Sequence, residues 1–236
     1  NRSRGTFYFR PVEKLIYHRY DKIISISKQT QDALQQWLQA TDEKFVVINN
    51  GVDMRHFSLI HRPITPKSLI MVSRFTASKD QETVIRAMQY IDKEATLRLV
   101  GDGDSLEHCK QVAKECRVED RVKFLGTRSD VADLIAESYI GIQSSNWEGF
   151  GLTAVEMMAC GKPVIATDVD GLKQVVEGAG LIFHRGDAAG LAKCVNDLLK
   201  DNYKYNAISN LCILRAADYD ISKMSNSYIN EYNKLF

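Results

Sequence analysis

The sequence predicts an α/β fold built on a Rossmann-like doubly wound parallel sheet. Six short apolar, β-rich runs alternate with helical stretches between Ser68 and Leu199. Strands that alternate with helices form βαβ units, and near-continuous apolar strands belong to a parallel sheet covered on both faces. The loops richest in charge and glycine follow the first and fourth of these runs. In a sheet of order 3-2-1-4-5-6 those two strands are neighbours, and their loops leave in opposite directions to open a ligand crevice.

The elements follow in chain order. Residues 1–22 hold Arg2, Arg4, Arg10, Lys14, Arg19 and Lys22 against Glu13 and Asp21. Such a stretch is ordinarily a solvated surface; its sharper reading is weak peripheral attraction to an anionic membrane or acceptor. Lys22–Ser27 reads as a strand. Lys28–Gln39 reads as a helix, with Ala33, Leu34, Trp37 and Leu38 on one face. A short strand, Phe45–Ile48, ends at the turn signal Asn49-Asn50-Gly51. His61–Lys67, with Pro63 and Pro66, is a loop. The six strands of the main series are Ser68–Ser73, Thr96–Val100, Val122–Leu125, Tyr139–Gln143, Pro163–Ala166 and Gly180–Phe183. The intervening helices are Lys79–Ile91, Ser105–Cys116, Asp130–Ala136, Leu152–Cys160, Leu172–Glu177 and Ala188–Leu199. Two further helices are expected over Tyr203–Ala217 and Ile221–Leu235.

Composition narrows the function classes. The 236 residues are 44% hydrophobic and 26% charged, enough for a packed core. Lys and Arg number 31 against 30 Asp and Glu, so no global field for nucleic acid arises. Cys109, Cys116, Cys160, Cys194 and Cys212 form no CxxC and read as reduced, mostly buried thiols of a cytoplasmic protein. No HExxH pairing, GxxxxGK[ST] loop or GxGxxG fingerprint is present, and no apolar run is long enough to span a membrane. The chain begins with Asn1 and is expected to be a piece of a longer protein.

The loop after the first strand carries Arg74 and Lys79. A guanidinium fork and an ammonium point charge over one crevice suit a diphosphate, although a salt-bridged loop with Asp80 and Glu82 would use the same residues. The loop after the fourth strand is Ser144–Gly151. Gly149 and Gly151 permit close backbone approach, and the helix starting at Leu152 presents free amide hydrogens to an anion. Glu156 lies about one turn inside that helix, where a carboxylate can accept from a ribose diol. Glu148 stands ahead of it, where a sugar would lie. Singly these are a first-turn acid and a surface acid; it is their joint placement that points to a site. The triplets Asp102-Gly103-Asp104 and Asp168-Val169-Asp170 spell DxD, but neither is expected at the crevice with a third ligand, so no metal is assigned.

Five segments resemble glycosyltransferase family 4, the retaining family with the GT-B fold. They are NNGVD (Asn49–Asp53), VSRFTASKD (Val72–Asp80), LVGDGD (Leu99–Asp104), VKFLGTRSDV (Val122–Val131) and EGFGLTAVEMMACGKPVIATDVDGL (Glu148–Leu172). The resemblance runs from about Ile23 to the C-terminus. It implies the C-terminal, donor-binding domain of a GT-B fold over residues 45–220, a remnant of the acceptor-side N-terminal domain over 1–44, and a C-terminal helix over 221–236 that crosses back to the missing N-terminal domain. It implies that Arg74 and Lys79 bind diphosphate, that Glu148 contacts the donor sugar and that Glu156 binds the ribose. Gly149, Phe150, Gly151, Leu152 and Thr153 would hold sugar and phosphate. The turn Thr127–Val131, with Arg128 and Val131, would border the base, and Asn50 and Gly51 would sit near the hinge and the donor cleft. The catalytic set is then Glu148, Arg74 and Lys79. No cofactor or metal is implied. The partners are a UDP- or GDP-type nucleoside diphosphate sugar and a saccharide or lipid-linked acceptor, in cell-surface polysaccharide or glycolipid synthesis; the expected location is the cytoplasm, with peripheral contact at the inner face of the membrane as its extension. A nucleotide-sugar epimerase of GT-B fold and a non-catalytic nucleotide-sugar-binding module are the alternatives. The chain departs from the family where Gly-Gly is common: it has Asp170-Gly171, followed by Lys173-Gln174 in place of Pro-Glu.

Overall fold

A computed structural model describes residues 9–41, 43–58, 60 and 62–235. Arg2, Arg4 and His61, named above, lie outside them. The first described element is a short helix, α1 (Arg10–Ile16), with Pro11 in its first turn, where a missing N–H costs nothing. Strands β1 (Ile23–Ser25) and β2 (Phe45–Val47) pair in parallel, joined by α2 (Lys28–Leu38). Ser27 caps α2 by accepting from the Thr30 amide at 3.2 Å. Gln39 then ends the helix in the left-handed region, at φ 55. A single turn and a half, α3 (Met54–Ser58), follows β2.

The main sheet contains β3 (Ser68–Val72), β4 (Thr96–Val100), β5 (Val122–Phe124), β6 (Ile140–Gln143), β7 (Val164–Thr167) and β8 (Leu181–Phe183). Its order is β5-β4-β3-β6-β7-β8 and every pairing is parallel. This is the order expected from the sequence, with the switch point between β3 and β6. The crossovers are α4 (Gln81–Ala87), α5 (Leu106–Glu115), α6 (Val131–Glu137), α7 (Leu152–Ala159) and α8 (Asp170–Val176). Helices α9 (Ala188–Lys200), α10 (Asn202–Ala216) and α11 (Ile221–Asn233) complete the chain.

Alternation along the buried strands sends side chains to two cores. Leu69, Met71, Leu97, Leu99, Ile140 and Ile142 pack with Val84 and Ile85 of α4, Val112 of α5 and Leu191 of α9. Ile70, Val164 and Ala166 pack on the opposite face with Ala154 and Met157 of α7, Val175 of α8 and Cys212 of α10. The cysteines are free thiols, and burial pushes Cys160 up to about 12 and Cys212 to about 11. No helix among the described residues is long and apolar enough to cross a membrane.

Some boundaries moved for local reasons. The helix expected from Lys79 starts at Gln81, because Asp80 caps it by accepting from the Thr83 amide at 3.2 Å. Lys79 is instead extended and bridged to Ser145. The helix expected from Leu172 starts two residues earlier, at Asp170. The short helices α1 and α3 carry too few turns to show a periodicity and were not expected.

The loop after β4 lies tightly on the loop after β3. A Cβ at Gly101, where φ is +133, would stand 2.1 Å from the Ser73 carbonyl oxygen. At Gly126 φ is +66, but a Cβ would meet nothing within 4 Å. Gly126→Ala should therefore cost only about 1 kcal/mol of left-handed strain. Gly101→Ala should cost clearly more, since a main-chain clash adds to strain worth roughly 1–3 kcal/mol. Urea unfolding measures both, and equal losses would show that the two loops are not in tight contact.

Candidate functional site

The site is assembled from main-chain contacts between loops at the switch point. The amides of Asn146 and Trp147 donate to the Ser78 carbonyl at 2.9 and 3.3 Å, and the Asp80 amide donates to the Ser144 carbonyl at 3.2 Å. Asn146 adds its side-chain amide, donating to the Ala77 carbonyl at 3.1 Å. The loop after β3 and the loop after β6 thus form one unit. Thr167, at the end of β7, fixes it from the other side. Its hydroxyl accepts from the Ser145 amide at 3.1 Å and donates to the Ser145 carbonyl at 3.2 Å. Arg185, beyond β8, donates to the Asn146 carbonyl at 3.4 Å.

This unit carries Lys79 and Glu148 into direct contact. The Lys79 ammonium donates to Glu148 Oε2 and lies 3.4 Å from the Ser145 hydroxyl. Glu148 Oε1 accepts from the Gly149 amide at 3.2 Å. Both side chains retain 17% of their surface, so the pair is largely shielded from solvent while still reachable. Gly151 follows at φ +94, and a Cβ there would meet the Leu172 side chain at 2.5 Å. Only glycine turns the chain this sharply into α7, whose first amides point out of the helix start at Leu152.

Two cavities flank the unit. One, of about 890 Å³, is lined by Arg74, Asp102, Asp104, Arg128, Val131 and Thr153 among others. Arg74 is exposed there, with its carbonyl fixed by the buried Gln81 amide at 3.0 Å. Arg128 makes a two-pronged ion pair with Asp130, at 2.8 and 2.6 Å, which holds the Asp130 carboxyl below the usual range. The second cavity, of about 700 Å³, runs between α2 and the loops after β6 and β7, and Glu148 and Gly149 line it. The Glu156 carboxylate, half-buried in α7, accepts no hydrogen bond among the described residues. Burial raises its pKa, because desolvation disfavours the charged form.

The residues singled out by sequence divide into groups. Arg74, Arg128, Val131 and Thr153 line one cavity, Glu148 and Gly149 the other, and Lys79 bonds across to Glu148. Leu152 is exposed at the helix start. Phe150 is buried and packs edge-on against Tyr219, with ring centroids 5.3 Å apart, so its side chain is structural. Asn50 and Gly51 line neither large cavity. Asn50 borders a small one beside α11, and a Cβ at Gly51 would lie 2.6 Å from Ile221 Cα. Asp102 and Asp104 of the first DxD triplet line the cavity with Arg74, where the tight Gly101 and Gly103 turn folds them over it, and Asp170 of the second lines the other cavity. Among the described residues no group of three potential metal ligands forms. Thr167, Gln81 and Arg185 escaped the sequence reading. Their side chains act on main-chain atoms of the site loops, which no spacing in the sequence reveals.

The departure at Asp170-Gly171 resolves into two roles. A Cβ at Gly171 would stand 2.3 Å from the Glu148 carbonyl oxygen, so this glycine permits the close approach. Asp170 is exposed at the second cavity, where a side chain fits.

Residues 59–211 match the family model described as glycosyl transferases group 1, and residues 1–56 match that of glycosyltransferase family 4. The chain is 40% identical over 139 residues to N-acetyl-alpha-D-glucosaminyl L-malate synthase of Bacillus anthracis, covering 57% of this chain and 36% of that protein. It is 27% identical over 199 residues to a glycogen synthase of Mycobacterium tuberculosis, covering 80% of this chain and 48% of that protein. The chain thus spans about half or less of these curated relatives. HepE of Anabaena, solved in complex with UDP-glucose, superposes with a TM-score of 0.87 at 27% identity, over 96% of this chain and 67% of that one. Sucrose-phosphate synthase from Thermosynechococcus elongatus gives 0.84 at 26% identity, over 100% of this chain and 64% of that one. The neighbours are GT-B glycosyltransferases, and the six-stranded sheet is their Rossmann-like C-terminal half. With one family model matching well over half of its length, the chain belongs to the group 1 glycosyltransferases.

Proposed function

We propose that this chain is the donor-binding half of a retaining glycosyltransferase that moves a sugar from a nucleoside diphosphate sugar to the hydroxyl of a saccharide or lipid-linked acceptor. The supporting observation is the joining of the Arg74–Lys79 and Glu148–Thr153 loops at the switch point, which gathers two cations, a helix N-terminus and a carboxylate. The complex of HepE with UDP-glucose supports the donor class. In this reading the acceptor-side part, expected over 1–44, extends through β2, which pairs with β1; the residues from there to 220 bind the donor and 221–236 cross back. The Lys22–Glu231 ion pair at 3.9 Å, which ties α11 to the β1 side, agrees with that division.

Arg74, Lys79 and the α7 N-terminus take the diphosphate, and Glu148 orients the sugar. Glu156 accepts from the ribose diol, and Arg128 and Val131 border the base. In the transfer, the acceptor oxygen bonds to the anomeric carbon as the bond to the phosphate oxygen breaks. The electron pair leaves with the diphosphate, and the acceptor's proton passes to it. Cations and oriented amides favour that step because they meet the charge that develops on the leaving group.

Calorimetry with UDP, GDP and ADP sugars tests this reading, and failure of every donor to bind would overturn it. Arg74→Ala should weaken nucleoside diphosphate binding by about 1.5 kcal/mol, and Lys79→Ala by up to about 3 kcal/mol, since Lys79 is the better shielded. Neither should weaken bare nucleoside comparably; equal losses for both ligands would remove the diphosphate assignment. Donor binding should also be unchanged by EDTA, and a loss restored by a divalent ion would bring Asp102 and Asp104 back as metal ligands.

Glu156 gives a prediction with opposite signs for stability and binding. Its raised pKa means that folding favours the protonated form. The stability linked to that proton is present below the unfolded carboxylate pKa and is lost as pH rises through the folded value. Glu156→Gln should therefore melt above the wild type at pH 7, the gap closing as pH falls through the carboxylate range, while nucleotide affinity at pH 7 falls. Thermal melts and titrations check both, and a variant that loses stability at pH 7 would refute the assignment of an uncompensated buried carboxylate.

A further inference from the structure

Helix α10 departs from the other surface helices of the chain. Its inner side is anchored in the ordinary way. Cys212 and Ala216 belong to the core on the α7 face of the sheet, and the Ser209 hydroxyl donates to the Gly161 carbonyl at 2.7 Å. The outer side of a surface helix ordinarily carries charge: α5 exposes Glu107, Lys114 and Glu115, and α9 exposes Lys193 and Lys200. Among the described residues of α10, every one that is exposed is uncharged. Its Lys204 and Arg215 are half-buried and occupied. Lys204 pairs with Asp197 at 3.1 Å, and Arg215 donates to the Gln174 and Val175 carbonyls at 3.4 and 3.2 Å.

What the outer side presents instead is apolar. Tyr203 leaves 86% of its surface exposed and Leu214 69%, and Leu211 and Ile213 are exposed beside them. At 3.6 residues per turn, Tyr203, Ala207, Leu211 and Leu214 fall within about 80° of one another, so they form one stripe. Aromatic and aliphatic side chains with no charge among them have the composition of an interface core, where charged residues are depleted and Tyr is enriched.

The same composition selects the partner. A nucleic acid, an anionic lipid surface or an acidic peptide requires fixed positive charge opposite to it, and this face offers none. Meeting a second copy of itself, the face brings no like charges together. Asn206 and Asn210 flank the stripe, and an amide, being donor and acceptor at once, pairs with another amide. The sizes are close to symmetrical along the helix, with the large Tyr203 and Leu214 at the ends and the small Ala207 near the middle. Antiparallel pairing about a twofold axis sets Tyr203 of one copy against Leu214 of the other, and Ala207 lets the two helices approach closely. The pairing leaves the switch point open. α10 meets α7 at Gly161, beyond its C-terminus, whereas the Glu148 loop enters at its N-terminus, about 12 Å away along the helix.

We propose that the outer face of α10 is a self-association surface that joins two copies of this chain as an antiparallel, twofold-symmetric pair. The helix has 15 residues and is about 22 Å long. A contact of that length buries less than the about 800 Å² per partner of a stable complex, so the pair is reversible, with a Kd on the order of 100 µM. The assignment is independent of the donor-binding reading.

Sedimentation equilibrium from about 10 µM to about 1 mM brackets that value and should show a monomer–dimer equilibrium. Leu214→Lys should weaken it about tenfold or more, because it places like charges beside the axis. Adding Tyr203→Glu to that variant sets opposite charges against each other across the axis and should recover part of the loss, the more so at low salt. Both positions are exposed, so the melting temperature of dilute protein should be unchanged in either variant. Ile229→Lys, on the exposed side of α11, should leave the equilibrium as it is. A chain that stays monomeric throughout would overturn the proposal. So would association that survives Leu214→Lys and is lost with Ile229→Lys, and so would a double variant no better than Leu214→Lys alone. Leu214-dependent binding of a monomeric chain to phosphatidylcholine vesicles would also overturn it, and would make the face a lipid contact.

Discussion

Two neighbouring parallel strands whose crossovers run to opposite sides leave their C-terminal loops with main-chain groups that no helix or strand satisfies. In this chain those groups satisfy one another. Ser78 accepts from two amides of the β6 loop, Ser144 accepts from Asp80, and Thr167 takes both main-chain groups of Ser145. Buried backbone groups must be paired, so this stitching is a condition of folding, and it also fixes where Lys79 and Glu148 stand. Chemistry at the switch point therefore inherits its geometry from the hydrogen-bond requirement of the sheet.

Much of this was legible in the sequence because it is periodic. The strand order could be written down from alternation and topology alone, and the loops it joined held Arg74, Lys79 and Glu148. What escaped depends on distances between main-chain atoms. Thr167 looks like the end of an apolar strand, and nothing in its neighbours reveals that its hydroxyl clasps Ser145. α4 starts at Gln81 because Asp80 caps it and Lys79 pairs with Ser145, neither of which is contained in the spacing of apolar residues. Asp102 and Asp104 reach the cavity because Gly101 and Gly103 adopt positive φ, at +133 and +145, which a spacing argument does not contain. Asn50 and Gly51 depend on where α11 crosses, a contact more than 170 residues away in the chain.

Electrostatics separate the two glutamates. Glu148 is compensated in place by Lys79 and the Gly149 amide, so its charge is stabilised without a ligand. Glu156 sits in a half-buried position with no such partner, and desolvation presses on its charged form. Desolvation of this kind is relieved when a hydrogen-bond donor reaches the carboxylate. Phe150, between Gly149 and Gly151, does the opposite: its ring leaves the site to anchor the loop on Tyr219.

The way the Glu148 loop is held bears on how such a protein changes over evolutionary time. Its path is set by bonds to main-chain atoms from Ser78, Thr167 and Arg185, and by the room left at Gly171. None of these requires a particular side chain at Trp147 or Asp170. Those two positions can therefore vary while the carboxylate beside them stays in register, so the rim of the cavity can change shape and charge without re-solving the fold.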